Sequence, residues 1–276
     1  MSLRVACVQM NTRGDVAVNV HVATALVEAA AAAGARLVAL PETWAYKGGR
    51  EGIRASAEAV EGPSNAALAQ LAARLGIFVL AGSIYEPSLE PGHVFNTSAL
   101  CGPDGALLAV YRKIHLFDLT ADTTVYRESD VVTPGADLVT VEIDLGPPPP
   151  VTLGLTICYD LRFPELYRSL ALRRAQILCV PSAFTAFTGA AHWEVLLRAR
   201  AGENGCFVIA PGQVGEHLPA RACFGHSMIV DPWGTVLAEV HDGVGYCVAD
   251  LDLGCVAEVR AQIPSLQNRR PDVYDL

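Results

Sequence analysis

The chain has 276 residues, a hydrophobic fraction of 51% and a formal net charge of −9. This hydrophobic content supplies a large core and argues against extensive disorder, while the acidic balance, with no lysine-rich run, argues against nucleic acid as a partner. No apolar run approaches membrane-spanning length, and the N-terminal residues MSLRVACVQM begin a strand rather than a signal peptide. We therefore expect a cytoplasmic protein with no membrane partner.

The first half of the chain alternates strands and helices. The predicted elements are a strand at 3–10, a helix at 16–33, a strand at 36–40, a helix at 64–75, a strand at 77–81, and a hairpin of 94–101 and 106–110. Residues 114–135 have no clean periodicity, and we predict a long polar loop there. A loop of this length in a compact domain is usually functional or disordered.

The second half repeats this order. Its predicted elements are a strand at 151–157, a helix at 164–174, a strand at 177–180, a helix around Trp193, a strand at 206–210, and a hairpin of 225–230 and 235–240. ARLVALPE (35–42) aligns with AQILCVPS (175–182), and this correspondence indicates a weak internal duplication. His226 is predicted to brace the second hairpin rather than to do chemistry.

The duplication predicts the fold class. Each half has a sheet with one face for helices to cover, so the economical solution packs sheet on sheet as a four-layer αββα sandwich with pseudo-twofold symmetry. One doubly wound parallel sheet fits less well, because the hairpins require antiparallel pairs. We expect a single domain over residues 1–276, with a C-terminal arm at about 256–276 that docks elsewhere, possibly on a second subunit.

The stretch VTLGLTICYDLRFPEL (151–166) reads as a strand, a sharp turn and a helix, with Cys158 at the turn. A thiol there lies beside the first N–H groups of a helix, whose partial positive charge favours the thiolate. The same turn would direct the backbone N–H of Tyr159 toward an oxyanion formed beside the sulfur. The competing interpretation is an ordinary buried cysteine, one of eight that are scattered without a CxxC pair or zinc spacing.

Glu42, Lys113 and Cys158 each follow an apolar strand. Ligands of α/β sheets gather at the carboxyl ends of strands, so we predict that a carboxylate, a cation and a thiol meet at one edge of the sandwich. Taken singly, Glu42 fits a solvated turn and Lys113 a surface lysine. Their shared position supports the catalytic interpretation.

Three segments carry a family resemblance: PETW (41–44), YRKIHLFD (111–118) and GLTICYDLRFPEL (154–166). They resemble the motifs of the carbon–nitrogen hydrolase (nitrilase) superfamily, whose Glu-Lys-Cys triad corresponds to Glu42, Lys113 and Cys158. The second glutamate of the family matches Glu128 in YRESD. Segments 181–201, 225–234 and 263–274 are similar to the Nit branch of the superfamily.

The resemblance implies a nitrilase-like αββα fold and an amidase that needs neither a metal nor an organic cofactor. It is closest to the Nit1-type amidases of deaminated glutathione. The Nit2-type ω-amidases of α-ketoglutaramate and the N-carbamoyl amidases are the alternatives. It also implies a homodimer or higher homo-oligomer. A catalytically silent binding or scaffold member stays open as a non-enzyme alternative, although all four matching residues are present.

The implied mechanism assigns a role to each group. Cys158 attacks an amide carbonyl, Lys113 and the N–H of Tyr159 hold the oxyanion, and Glu42 is the general base. Glu128 would orient Lys113 or the substrate amide. Lys113 would also lower the thiol pKa of Cys158.

Substrates of this class carry carboxylates, so an acidic protein needs local cations to bind them. The candidates are Arg162, Arg198, Arg221, His192 and His217. Arg162 has an alternative role in an ion pair with Asp160 or Glu165. Phe184 and Thr188 are predicted to border the pocket, with ordinary core packing as the alternative for Phe184.

Overall fold

The computed structural model describes residues 2–121, 124–146, 149–219 and 221–274. The helices are α1 Val16–Ala32, α2 Arg50–Ala55, α3 Pro63–Leu75, α4 Pro164–Leu172, α5 Ala186–Asn204 and α6 Gly254–Gln262. The strands are β1 Ser2–Gln9, β2 Leu37–Ala39, β3 Phe78–Leu80, β4 Ile84–Pro87, β5 Val94–Cys101, β6 Leu107–Arg112, β7 Asp118–Ala121, β8 Thr124–Arg127, β9 Thr140–Ile143, β10 Val151–Leu155, β11 Ile177–Cys179, β12 Phe207–Ala210, β13 Val214–Leu218, β14 Arg221–Phe224, β15 Ser227–Val230, β16 Val236–Val240 and β17 Gly245–Asp252. Within these residues, no helix combines the length and apolar character that a membrane crossing requires.

The two halves of the chain build two sheets of the same plan. In the first sheet β1, β2 and β3 are parallel, β5 pairs antiparallel with β3, and β6 completes a hairpin with β5. In the second sheet β10, β11 and β12 are parallel, β15 pairs antiparallel with β12, and β16 completes the hairpin. An antiparallel strand borders the first parallel strand of each sheet: β17 lies beside β1, and β9 beside β10. This repetition is the predicted pseudo-twofold duplication.

Strand β1 shows how the layers stack. Its side chains alternate between the two faces of the sheet, as the pleat requires. Leu3, Val5 and Cys7 join the core that includes the second sheet, whereas Ala6 and Val8 pack in a separate core with α1 and α3. Helices α4 and α5 contribute to the core around the second sheet. The molecule is therefore the four-layer αββα sandwich.

Residues 114–135 contain more regular structure than the predicted polar loop. Strands β7 and β8 pair as a short hairpin, and a 3-10 turn, Glu128–Asp130, follows directly. The backbone N–H of Ser129 donates to Asp118 at 3.0 Å, which ties the turn to the start of the hairpin. Four-residue strands are too short to show a clear period in the sequence. The hairpin delivers Glu128 to the end of a fixed element.

The predicted C-terminal arm is partly integrated in the sandwich. Helix α6 buries Val256 and Val259, and the guanidinium of Arg260 donates to the carbonyl of Ala175 at 2.7 Å. Beyond the helix, Val273 and Tyr274 are exposed. The last two residues of the predicted arm, 275 and 276, lie outside the described residues.

Candidate active site

Cys158 lies in a strained turn directly after strand β10. Its φ is +49°, a left-handed backbone conformation that side chains rarely adopt, and it opens the 3-10 helix Cys158–Arg162. Its N–H donates to the carbonyl of Pro181 at 2.9 Å, and the N–H of Ile157 donates to Asp160 at 2.8 Å. These bonds hold the turn that carries the sulfur into a cavity.

Asp160 joins this turn to the strand that precedes Lys113. Its carboxylate is completely buried and accepts from the Tyr111 hydroxyl at 2.6 Å. It also accepts from the backbone N–H of His115 at 3.1 Å and lies 2.7 Å from Nδ1 of the same residue. Because these donors surround Asp160, the alternative of an Arg162–Asp160 ion pair does not form. Sequence reasoning considered Asp160 only for that pair and missed this bracing role.

Lys113 lies between two carboxylates in the interior. Its Nζ is 3.0 Å from Glu42 Oε1 and 2.8 Å from Glu128 Oε2, and its side chain is only 2% exposed. The amide of Asn96 donates to Glu42 at 2.8 Å and to Glu128 at 3.4 Å. Asn96 was missed by sequence reasoning, although an asparagine inside the apolar strand VFNTSALC was an available signal. The four side chains form one hydrogen-bonded cluster.

The charges of this cluster set its protonation state. Burial disfavours the Glu42 carboxylate, but Lys113 and Lys47 outweigh it and hold the pKa of Glu42 below its ordinary 4.5. Burial also disfavours the Lys113 cation, but Glu128 and Glu42 together hold the pKa of Lys113 well above 10.5. Lys113 is therefore an ammonium and Glu42 a carboxylate at neutral pH.

Cys158 is a thiol in this environment. Burial is the largest influence on it, and the Glu42 carboxylate adds to it, so the pKa of Cys158 lies well above 9.0 although Lys113 acts in the opposite direction. Burial and the Glu42 charge outweigh Lys113, which lowers the pKa of Cys158 as predicted, so the expected thiolate is not the resting form. The Glu42 carboxylate lines the same cavity as the thiol and raises its pKa, so it is the nearby group that can receive the thiol proton.

A cavity of about 550 Å³ surrounds the sulfur. Glu42, Lys113, Glu128 and Cys158 line it, together with the predicted pocket residues Tyr159, Phe184 and Thr188. The structure thus brings these predicted residues together in one concave site.

Three of the predicted cations lie elsewhere among the described residues. The guanidinium of Arg162 lies 3.4 Å from Nδ1 of His192, and neither residue lines the cavity. Arg162 instead lies over the Phe184 ring at 5.4 Å and supports the cavity wall from behind. Arg198 pairs with Glu194 at 3.0 Å, on the exposed side of α5. These positions depend on which face of each helical segment points toward the cavity, and the sequence alone does not show this.

Other cations do line the cavity. Arg221, which was predicted, is joined by Lys47, Arg50 and Arg127, which were not. Arg50 pairs with Asp130, whereas Lys47, Arg127 and Arg221 make no ion pair with any described residue. His217 also lines the cavity, but burial and the neighbouring cations lower its pKa to about 3, so it is neutral.

Residues 4–261 match the family model described as carbon-nitrogen hydrolase, and this range includes every residue of the cluster. The chain belongs to the carbon–nitrogen hydrolase family. It is 42% identical to the deaminated glutathione amidase of Synechocystis sp. (strain PCC 6803 / GT-S), in a match that covers 96% of this chain and 97% of that protein. It is 38% identical to the omega-amidase NIT2 of Homo sapiens, over 99% of this chain and 97% of that one.

The fold of this carbon–nitrogen hydrolase also matches a solved structure of the family. The C. elegans NitFhit protein superposes with a TM-score of 0.88 at 36% identity, covering 99% of this chain and 66% of that longer chain. The similarity therefore extends over the whole sandwich rather than over the motifs alone.

Proposed function

We propose that this carbon–nitrogen hydrolase is an amidase that cleaves deaminated glutathione, a carboxylate-bearing amide, through a thioester on Cys158. The observation that carries the proposal is the convergence of the Cys158 thiol, the Glu42 carboxylate and the buried Lys113 ammonium in one cavity, with Lys113 Nζ 3.0 Å from Glu42. The 42% identity to a deaminated glutathione amidase over nearly the full chain supports the choice of substrate.

In the first half-reaction Glu42 accepts the thiol proton while the sulfur of Cys158 attacks the amide carbonyl. Lys113 donates to Glu42 at 3.0 Å and to both oxygens of Glu128 at 3.0 and 2.8 Å; one N–H serves both Glu128 oxygens, and the remaining N–H is assigned to the developing oxyanion. The backbone N–H of Tyr159 is the second proposed donor. Collapse of the tetrahedral intermediate breaks the C–N bond, and the leaving amine takes the proton from Glu42.

In the second half-reaction water replaces the amine. Glu42, again a carboxylate, takes a proton from water, and the resulting hydroxide attacks the thioester carbonyl. The same donors hold the second oxyanion. When the intermediate collapses, the carboxylic acid leaves and the sulfur regains its proton from Glu42. Glu128 positions Lys113 through both half-reactions.

Substrate carboxylates meet a locally positive wall in an acidic protein. Lys47, Arg127 and Arg221 line the cavity without an ion pair to any residue the structure describes. The ring of Tyr126 lies 5.3 Å from the Arg221 guanidinium and helps to fix it. We assign these three cations to the carboxylates of the substrate, in place of the predicted Arg162 and His192.

The test is Cys158→Ala with release of the amine product as the readout. We expect turnover of deaminated glutathione to be abolished while the far-UV circular dichroism spectrum is unchanged. Cys101→Ala is the matched control, because Cys101 is also a buried thiol but lies outside the cavity lining. Residual turnover in the Cys158 variant comparable to that of the Cys101 variant would refute the thioester mechanism.

The second candidate is an ω-amidase acting on α-ketoglutaramate, which the 38% identity to human omega-amidase NIT2 favours. Values of kcat/KM for deaminated glutathione, α-ketoglutaramate and an N-carbamoyl amino acid, measured side by side, separate the candidates. We expect deaminated glutathione to have the highest value. A tenfold higher value for either competitor would replace the proposed substrate and leave the mechanism intact.

We further propose that the enzyme is one domain that assembles as a homodimer or higher homo-oligomer in the cytoplasm. Exposed apolar side chains such as Phe187 and Trp233, at 72% and 57% exposure, support an association surface. The cysteines are free, as expected of a reducing compartment. Light scattering of the purified enzyme tests the assembly, and a monomer at micromolar concentration would contradict it.

A further inference from the structure

We propose that His226, Glu239 and His241 form a binding site for a divalent transition-metal ion, with Zn²⁺ as the fitting ion. The site is separate from the catalytic cavity. One potential ligand atom from each of the three side chains lies within 4.8 Å of the others. The proposed ion has a structural role at the end of the β15–β16 hairpin and takes no part in amide hydrolysis.

The hairpin register explains why these residues converge. Ser227 pairs with Val240 and Met228 with Glu239 across the antiparallel ladder. One step beyond the ladder, His226 is therefore opposite His241. Glu239 and His241 are two residues apart, so they project from the same face of their strand. The spacing E-x-H on one strand and a histidine on the other place three potential ligands on a single face.

The backbone at His226 is held in place from several sides. Its φ is +56°, a conformation that costs energy for a residue other than glycine. The indole N–H of Trp193 donates to the His226 carbonyl at 2.7 Å. The Phe224 ring stacks on the imidazole with centroids 4.2 Å apart. The imidazole is thus preorganised, which reduces the entropy that an ion must overcome on binding.

The donor set selects the class of ion. Two imidazoles and one carboxylate suit zinc and its transition-metal neighbours, whereas magnesium and calcium prefer oxygen ligands alone. Three protein ligands leave a fourth position for water. The adjoining cavity of about 810 Å³ has room for that water.

Binding requires a small rearrangement. His226 Nδ1 lies 2.5 Å from Glu239 Oε1, and His241 Nδ1 lies 3.5 Å from the same oxygen. Adjacent ligands of tetrahedral zinc with bonds of about 2.1 Å are about 3.4 Å apart. If both close atoms coordinate the ion, the His226–Glu239 hydrogen bond must therefore open by about 1 Å. The His241 side chain is 72% exposed and free to rotate toward the ion.

A cation is the main electrostatic obstacle in the adjoining cavity. Arg198 also lines that cavity, but its guanidinium binds Glu194 at 3.0 Å and the carbonyl of Gly234 at 2.8 Å. Its charge is therefore balanced locally. Glu239 supplies the negative charge that attracts the ion.

The experiment is calorimetric titration of the full-length, metal-stripped protein with Zn²⁺. We expect one equivalent to bind the wild type, and His241→Ala and Glu239→Gln each to weaken binding at least tenfold. His93→Ala is the matched control, since His93 also lies beside a carboxylate, Glu90, at 3.6 Å, but no third potential ligand joins them among the residues that the structure describes. The control should bind Zn²⁺ like the wild type. Because His241 is exposed, its variant should fold normally, which circular dichroism checks.

Cobalt identifies the ligands independently of affinity. We expect Co²⁺ to give a visible spectrum of nitrogen and oxygen ligation that His241→Ala abolishes. No binding by the wild type would show that Glu239 only braces the hairpin and would overturn the proposal. Binding that persists in both variants would place the ion elsewhere, and a sulfur-to-cobalt charge-transfer band would indicate cysteine ligands; either result would also overturn the proposal.

Discussion

Replacing Glu128 with glutamine tests the role of the second carboxylate with almost no change in shape. Glu128 Oε2 lies 2.8 Å from Lys113 Nζ and accepts from the N–H of Phe117 at 2.6 Å. A glutamine amide removes the negative charge, and its NH₂ group then faces the Lys113 ammonium or the Phe117 N–H, which are both donors. Lys113 then keeps only Glu42 as an anionic partner.

The structure bounds the size of the effect. Two unit charges 2.8 Å apart attract by about 6 kcal/mol at an effective dielectric constant of 20, which is a ceiling for the direct term. The Glu128 side chain is 17% exposed and Glu42 remains beside Lys113, so both solvent and the second partner reduce the loss. Removal of one partner from a buried pair costs about 3–5 kcal/mol, and we expect the lower end, about 3 kcal/mol.

Urea unfolding and steady-state kinetics measure the two consequences of Glu128→Gln. We expect the free energy of unfolding to fall by about 3 kcal/mol. We also expect kcat/KM to fall by about 100-fold, because a Lys113 that is no longer held in position stabilises the developing oxyanion less.

Glu86→Gln is the matched control for this experiment. It breaks the pair with Arg112, whose side chain is 43% exposed, one residue before Lys113. Because the Glu86 side chain is only 12% exposed and accepts two hydrogen bonds from Arg112, this substitution should also cost about 3 kcal/mol, but it should leave kcat/KM unchanged. Equal effects of the two substitutions on kcat/KM would refute the assignment of Glu128 to the catalytic cluster.

Three other perturbations probe the same cavity. The pKa of Glu42 lies below 4.5 and that of the Cys158 thiol well above 9.0, so kcat/KM and the stability that the Glu42 carboxylate supplies should both fall only below pH 4.5. A pH–rate profile in which kcat/KM already falls near neutral pH would contradict Glu42 as the base. Asp160→Asn places an NH₂ group among the buried donors whose hydrogen bonds Asp160 now accepts, such as the Tyr111 hydroxyl and the Ile157 N–H. We expect the free energy of unfolding, measured in urea, to fall by about 3 kcal/mol and kcat to fall as well, whereas an unchanged kcat would exclude the bracing role. Gly82→Ala would place a Cβ 2.0 Å from the carbonyl oxygen of Pro41, the residue before Glu42, and should reduce kcat/KM by about 100-fold. Gly243→Ala is the control, because φ is also positive there but the space is open, and it should leave kcat/KM unchanged; equal kinetics for the two variants would contradict this reasoning.

The parts of the site that the sequence could predict are those at the ends of strands. Glu42 and Cys158 follow short apolar strands, and Lys113 follows a hairpin strand, so the topology alone carries them to one edge. The duplicated order of strands and helices likewise predicted both sheets. These features depend on period and connection, which a sequence displays directly.

The parts that could not be predicted depend on the direction in which side chains point and on opposing electrostatic effects on the Cys158 thiol. Arg162, at the end of the 3-10 turn, lies against His192 of α5 and the Phe184 ring outside the cavity, and these contacts between distant segments have no local sequence pattern. Lys47 and Arg127 reach the cavity from segments without a clear period. The state of Cys158 depends on whether burial and Glu42 outweigh Lys113, and that balance requires the three-dimensional arrangement.

The need for two carboxylates beside one lysine follows from the proposed proton transfers. When Glu42 takes the thiol proton, the negative charge moves from its carboxylate to the sulfur and then to the substrate oxyanion, so Lys113 loses one of its two carboxylate partners. Glu128 keeps the ammonium paired at that moment, at 2.8 Å. The proton moves from sulfur to carboxylate without changing the total charge of the cluster, so the nucleophile becomes an anion only as Glu42 becomes neutral. A resting thiolate would add a second negative charge beside Glu42, and its absence is therefore a consequence of the same arrangement that makes Glu42 an effective base.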